Sequence, residues 1–193
     1  MLDIAMDWST ARFKGSKLAI SRRTLGELAS FFHDQAAFRQ MDPNTLLYEV
    51  QSYEPLPDGT EGGLFWGNTT LYPGTVGDEY FMTKGHFHRL GNRGEFYVTC
   101  KGHGALLLMK EGGPTVAETM SPGSVHYIPG YHAHRVANTG SEPLVFIACW
   151  PSDAGYDYAT IERSGFSGRL LRRNGMPALI PQSPVPQITA SQE

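Results

Sequence analysis

Cysteine is scarce in this chain: Cys100 and Cys149 are the only two in 193 residues, too few for a disulfide framework. Each sits in an alternating apolar run, where a buried free thiol is the expected state. No apolar run reaches the length of a bilayer span, and the N-terminal MLDIAMDWSTARFKG lacks the basic-then-apolar order of a secretion signal. A cytoplasmic location is expected. Basic excess is missing too. The formal net charge is -3 and Lys and Arg are not clustered, so neither nucleic acid nor a membrane surface has an electrostatic hold on the chain. Phosphate-cradling signatures of the GxxxxGK[ST] and GxGxxG kinds do not occur. Helical crossovers between strand-like runs are also lacking, which disfavours a parallel α/β sheet.

What is present reads as one folded domain. Hydrophobic residues make up 40% and charged residues 18%, a balance that supports a packed core. The stretch RRTLGELASFFHDQAAFRQM predicts one helix, with Thr24 and Glu27 at capping-box spacing and Leu25, Leu28, Phe32 and Ala36 on one face. After Pro43 come short alternating or apolar runs broken by Gly, Pro, Asn and Asp. Strands are expected over 45–53, 64–72, 79–88, 94–101, 105–110, 115–119, 124–128, 133–138 and 144–150, with turns at PLPDG, KEGGP and NTGSEP. Many short strands at this spacing predict an all-β barrel or double-sheet sandwich. The expected division is an N-terminal extended segment and helix over 1–43, a β-barrel domain over 44–172, and an arm or disordered tail over 173–193, where PALIPQSPVPQITASQE carries four prolines.

The chemistry concentrates in MTKGHFHRLGNRGEFYVTCKG. On a strand His86 and His88 share one face and Phe87 takes the other. Glu95, beyond a glycine-containing turn, is expected within reach across the ladder. A third imidazole comes from PGSVHYIPGYHAHRVANTG, whose His132 and His134 form a second same-face pair; spacing does not choose between them. Three imidazoles and a carboxylate suit Fe(II), Mn(II), Ni(II) or Zn(II). An HxH pair alone is more often a surface or core feature. His33 is expected on the exposed face of the helix, His103 in a turn, and His126 in the core or a pocket.

The run His86-x-His88, Glu95, Gly102, then Gly123-x5-Pro129 and His134-x3-Asn138 resembles the two motifs of the cupin superfamily. The resemblance implies a cupin double-stranded β-helix, a jelly-roll-like barrel, with one N-terminal helix. The chain departs from the common pattern in the six residues between His88 and Glu95, in Tyr131 where a glycine is usual, and in Tyr80 where another is. The longer stretches TLYPGTVGDEYFMTKGHFH, RGEFYV, PGYHAHRVAN and WPSDAGYDYATI are similar to the cupin-type glucose-6-phosphate isomerases over about Tyr48 to Phe166. That family implies a metal, iron first and manganese, nickel or zinc otherwise, on His86, His88, Glu95 and His134. It implies phosphate near Thr69, Thr83 and Gly85, with Tyr48, Tyr97 and Tyr158 lining the pocket. Trp150 stands where relatives often carry Tyr, which removes one hydroxyl from the substrate contacts. Tyr156 stands where they can carry His. Lys84 and Arg93 are the nearest cations, and Arg93 is expected among the substrate-binding residues.

The implied reaction is reversible isomerisation of glucose 6-phosphate and fructose 6-phosphate, in glycolysis and gluconeogenesis, by a homodimer. A hydrogen must move between C1 and C2, as a proton through an enediolate or as a hydride. Glu95, Tyr97 and His134 are the expected catalytic residues. A tightly coordinated carboxylate is a poor base, so whether Glu95 serves as ligand, base or both stays open. Two rivals share the scaffold: an oxygen-activating enzyme with the same ligands, which needs no phosphate pocket, and a non-catalytic sugar-binding module, which needs no metal.

Overall fold

The computed structural model describes residues 4–182. Its strands are β1 (Ile4–Asp7), β2 (Arg12–Gly15), β3 (Leu18–Thr24), β4 (Leu46–Tyr53), β5 (Leu64–Leu71), β6 (Thr75–Val76), β7 (Glu79–Tyr80), β8 (Glu95–Lys101), β9 (Gly104–Lys110), β10 (Thr115–Met120), β11 (Val125–Ile128), β12 (His132–Asn138), β13 (Leu144–Pro151), β14 (Gly168–Arg173) and β15 (Met176–Pro181). Two short helices, α1 (Gln35–Phe38) and α2 (Tyr158–Ser164), complete the set with one 3₁₀ segment. A six-stranded sheet runs β11-β8-β13-β5-β4-β3 and a three-stranded sheet β10-β9-β12, with smaller sheets β15-β14-β7-β6 and β1-β2. Every strand pairing is antiparallel. This is the expected all-β architecture, consistent with a cupin fold. Among the described residues no helix is long and apolar enough to cross a membrane.

The period of two that marks the strands also sorts their side chains. On β8, Glu95, Tyr97 and Thr99 are buried while Phe96 between them is exposed. Registered beside them on the same face are Phe146 and Ala148 of β13, then Thr69 and Gly67 of β5, then Val50 and Ser52 of β4. Strand β9, by contrast, is buried at every position from Gly104 to Met109, because elements cover it on both faces. Leu71, Leu106, Met120, Ile128, Leu144 and Phe146 form part of one core, and each such side chain removed from water contributes about 1.5–3 kcal/mol.

The first 43 residues differ from expectation. Strand β3 pairs along its length with β4, so this segment supplies the edge of the main sheet. The predicted single helix is a 3₁₀ segment, Gly26–Phe31, followed by the one-turn α1, with Leu28 out of helical geometry at φ -111, ψ 16. Packing overrides periodicity here. Phe31 and Phe32 are adjacent yet both buried, which one face of a straight helix cannot provide, and Leu25 N and Gly26 N donate to Thr45 O and Pro43 O at 2.8 Å. The Glu half of the expected capping box is formed: Glu27 Oε2 accepts from Thr24 N at 2.7 Å, at the end of β3. Asp34 caps α1 by accepting from Ala36 N and Ala37 N.

Two further expectations change. The 79–88 strand is regular only as β7; beyond it are isolated bridges, Met82 to Ala137, His86 to His134 and Phe87 to Asp157. In the expected tail, residues 176–181 form β15, paired with β14 through a turn in which Asn174 and Gly175 take φ 51 and 78. Residues 183–193 lie outside the described residues.

Candidate metal centre

Gly85 explains why the histidine segment leaves regular strand geometry. Its φ is +76, and a Cβ there would meet Arg135 Cβ and His134 O at 3.0 Å; only glycine accepts both the left-handed backbone and the close approach. The chain thereby swings against β12. His86 N donates to His134 O at 3.3 Å and His134 N to His86 O at 3.0 Å. Glu95, expected on the ladder paired to the histidines, instead opens β8 in the six-stranded sheet and reaches the cluster from there.

One donor atom from each of His86, His88, Glu95 and His134 lies within 4.8 Å of all the others. His132, which spacing could not separate from His134, is outside this group, its Nδ1 bonded to Gly130 O at 2.9 Å. The carbonyl of Arg93 accepts from His88 Nδ1 at 2.8 Å. A proton on Nδ1 leaves the Nε2 lone pair of a neutral ring directed inward, 3.1 Å from Glu95 Oε2. Two electron-rich atoms at that distance require a cation, either a proton or a metal. His134 Nε2 is also 3.1 Å from Glu95 Oε2, but off hydrogen-bond geometry, and His86 Nε2 and His134 Nε2 are buried without a hydrogen-bond partner.

Burial holds His86 well below the usual imidazole range, reinforced by His134, so its ring is neutral and its lone pair available at pH 7. Burial alone would raise Glu95, but His134 and His88 outweigh it and hold the carboxyl at about 2. His88 moves the other way, up, because Glu95 overcomes the effect of its burial. An anionic carboxylate among buried imidazoles with unmet nitrogens fits a divalent metal.

A cavity of about 320 Å³ opens beside the cluster. Tyr48, Thr69, Thr83, Gly85, Tyr97, Trp150 and Tyr158 all line it, together with His86, Glu95 and His134. Tyr156 and Tyr158 stack on one another, centroids 5.6 Å apart, and stand 4.9 and 5.3 Å from the His86 ring. Burial first, and the Glu95 charge second, push the Tyr97 phenol well above its ordinary range, keeping it a donor. Tyr48 is pushed up to about 12 by burial.

Arg93 is a correction: it does not line the cavity. Its Nε and Nη2 bind the Asp153 carboxylate at 3.0 and 2.7 Å, so its contribution to the site is the carbonyl that orients His88. Lys84 does line the cavity, tied to Glu162 at 2.7 Å and lying 4.6 Å over the Tyr158 ring. Arg23, Ser21 and Ser52 line it as well, none of them anticipated. A period-two reading of Leu18–Thr24 would have put Ser21 and Arg23 on one face, had the capping signal not assigned that stretch to a helix start. Tyr131, where a glycine is usual, takes the glycine-like φ of 62, so the exchange changes the residue and keeps the turn.

The sequence as a whole matches known proteins. The family model "Glucose-6-phosphate isomerase (GPI)" matches residues 22–184. The glucose-6-phosphate isomerase of Pyrococcus horikoshii is 40% identical over 178 residues, covering 90% of this chain and 91% of its own. That of Pyrococcus furiosus is 41% identical over 176 residues, covering 89% and 90%. A bacterial relative of the same name from Sinorhizobium medicae is 41% identical over 142 residues, covering 72% and 65%. With the matched region spanning most of the chain, this protein belongs to the cupin-type glucose-6-phosphate isomerase family.

Proposed function

We propose that this chain interconverts glucose 6-phosphate and fructose 6-phosphate in a metal-dependent reaction that moves a hydrogen between C1 and C2, serving glycolysis and gluconeogenesis. Membership of the family supports the isomerisation. The observation that carries the metal dependence is the pair of buried, unpartnered Nε2 atoms of His86 and His134 in a cluster with His88 and Glu95. His86, His88, Glu95 and His134 would hold a divalent ion, which would supply Lewis-acid stabilisation of negative charge on substrate oxygens. Fe(II) is the first candidate, and the same donors accept Mn(II), Ni(II) and Zn(II).

The remaining roles belong to the cavity walls. Its volume suits a hexose phosphate. The hydroxyls of Thr69 and Thr83 and the open backbone at Gly85 offer hydrogen bonds to the phosphate, and Tyr48, Trp150 and Tyr158 flank the sugar. Tyr97, kept protonated, donates to a substrate oxygen near His134. Tyr156 and Tyr158 shield the His86 end from water. Glu95 is the carboxylate nearest the reacting carbons.

The test is turnover of fructose 6-phosphate, read with a coupled dehydrogenase, after chelation and after adding back each metal separately. Activity should fall with the chelator and return with at least one metal; a chelated sample of unchanged activity sinks the metal dependence. The same reading takes the working unit as a cytoplasmic homodimer. A row across the six-stranded sheet, Tyr127, Phe96, Cys149 and Trp66, supports it, since its aromatic members are 65%, 41% and 44% exposed, an apolar stripe of the kind that dimers cover. Sedimentation at twice the 21.3 kDa chain mass is the expected result, and a monomer at all concentrations overturns it.

A further inference from the structure

A sugar phosphate brings two negative charges into a cavity whose wall already holds Glu95. Hydroxyls and backbone N–H groups bind such a dianion, but discrimination against the neutral sugar calls for a cation. The cavity offers two, Arg23 and Lys84. They differ in commitment. Lys84 Nζ is 2.7 Å from Glu162. The carboxylate nearest Arg23 is Glu27, at 3.9 Å, and one Glu27 oxygen already accepts from Thr24 N. The Arg23 side chain is 43% exposed, its one close bond being from Nη1 to the carbonyl of Arg22 at 2.8 Å.

Register fixes where the guanidinium stands. Arg23 pairs with Tyr48 across β3 and β4, so both side chains lie on the inner face of the sheet. Tyr48 in turn accepts from Lys84 N at 3.4 Å through its hydroxyl, which puts Arg23 on the cavity wall beside the strand pair that meets the Thr83-Lys84-Gly85 segment. Immediately after Arg23 the β3–β4 register shifts, an irregularity that re-aims a side chain at a sheet edge, and the Thr24–Glu27 bond holds that edge in place. The neighbour Arg22 points to the opposite face, where it pairs with Glu49 at 2.6 Å.

We propose that Arg23 binds the phosphate of the substrate and makes the site selective for phosphorylated over neutral sugars. This rests on the isomerase reading and adds a residue to it from the edge strand. A five-donor fork on a half-exposed side chain can hold a phosphate bidentately.

The experiment pairs catalysis with binding. For Arg23→Ala, the KM for fructose 6-phosphate should rise about ten- to a hundredfold with kcat within about threefold, and the Kd for inorganic phosphate, titrated calorimetrically into the metal-loaded protein, should rise by a similar factor. Arg23→Lys should recover part of both. Arg22→Ala is the control and should leave both at wild-type values. Phosphate binding that is undetectable in the wild type, or identical in Arg23→Ala, overturns the proposal. A wild-type protein that binds phosphate through Arg23 yet does not isomerise fructose 6-phosphate sustains the Arg23 assignment and sinks the isomerase reading instead.

Discussion

Two histidine–carboxylate groups sit in this β structure, and they have opposite hydrogen-bond states. In the first, His86 and His134 leave Nε2 atoms buried and unpartnered around Glu95. In the second, His126 has both ring nitrogens satisfied, Nδ1 by Glu118 at 2.8 Å and Nε2 by Ser124 at 2.9 Å, and Ser124 Oγ continues to Thr99 Oγ1 at 3.0 Å. Both groups contain a buried imidazole beside a carboxylate. A buried polar atom without a partner costs about 1–3 kcal/mol, so the first arrangement has capacity that a cation would complete, whereas the second is complete already. Unmet bonding capacity, more than the residue types, separates a binding site from a polar staple.

The largest effect that would break the comparison is loss of the metal. His86→Ala or His134→Ala should lower both bound metal and turnover by more than about 100-fold, measured by elemental analysis and the coupled assay, while the thermal transition of the chelated protein changes little. A variant that retained stoichiometric metal would put the two groups on the same footing. His126→Ala should do the reverse. It removes the link between Glu118 and Ser124, so a stability loss of about 1–3 kcal/mol in denaturant unfolding is expected, with kcat within about twofold of wild type. A collapse of turnover in a folded His126→Ala protein would show that the staple takes part in function.

A third carboxylate sharpens the contrast at smaller scale, because arginines and not imidazoles surround it. Burial alone would raise Glu49, but Arg12 and Arg22 overcome that and hold it below its ordinary 4.5. A lowered folded-state value means the stabilisation is fully present above pH 4.5 and is lost as pH falls through the folded value. Glu49→Gln should therefore cost about 1 kcal/mol at neutral pH and make the acid-side decline of the melting temperature shallower than in the wild type. A parallel shift at all pH values would show that the ion pairs contribute nothing specific to the charge.

Much of the fold was legible because its signals are local. Alternating or continuous apolar runs marked β4, β5, β8, β9 and β13 to within a residue or two, and Gly-, Pro- and Asn-containing stretches marked the turns between them. The helix was misread for a local reason as well: Thr24 and Glu27 carry a capping signature, and nothing nearby reveals that β4 would claim Leu18–Thr24 as a sheet edge. Arg93 was misplaced because proximity to Glu95 in sequence says nothing of Asp153, sixty positions away.

What the sequence determined by itself is the set of donors and their types: His86 and His88 two apart, Glu95 after a turn, and a further histidine in the second motif. Tertiary structure decided the partners. It set His86 against His134 through the Gly85 bend, brought Glu95 in from the other sheet, left His132 aside, and turned Arg23 into the cavity. The reason is physical. Side-chain alternation and turn chemistry are properties of a few consecutive residues, whereas which strand lies beside which is settled by burial and hydrogen bonding among segments far apart in the chain.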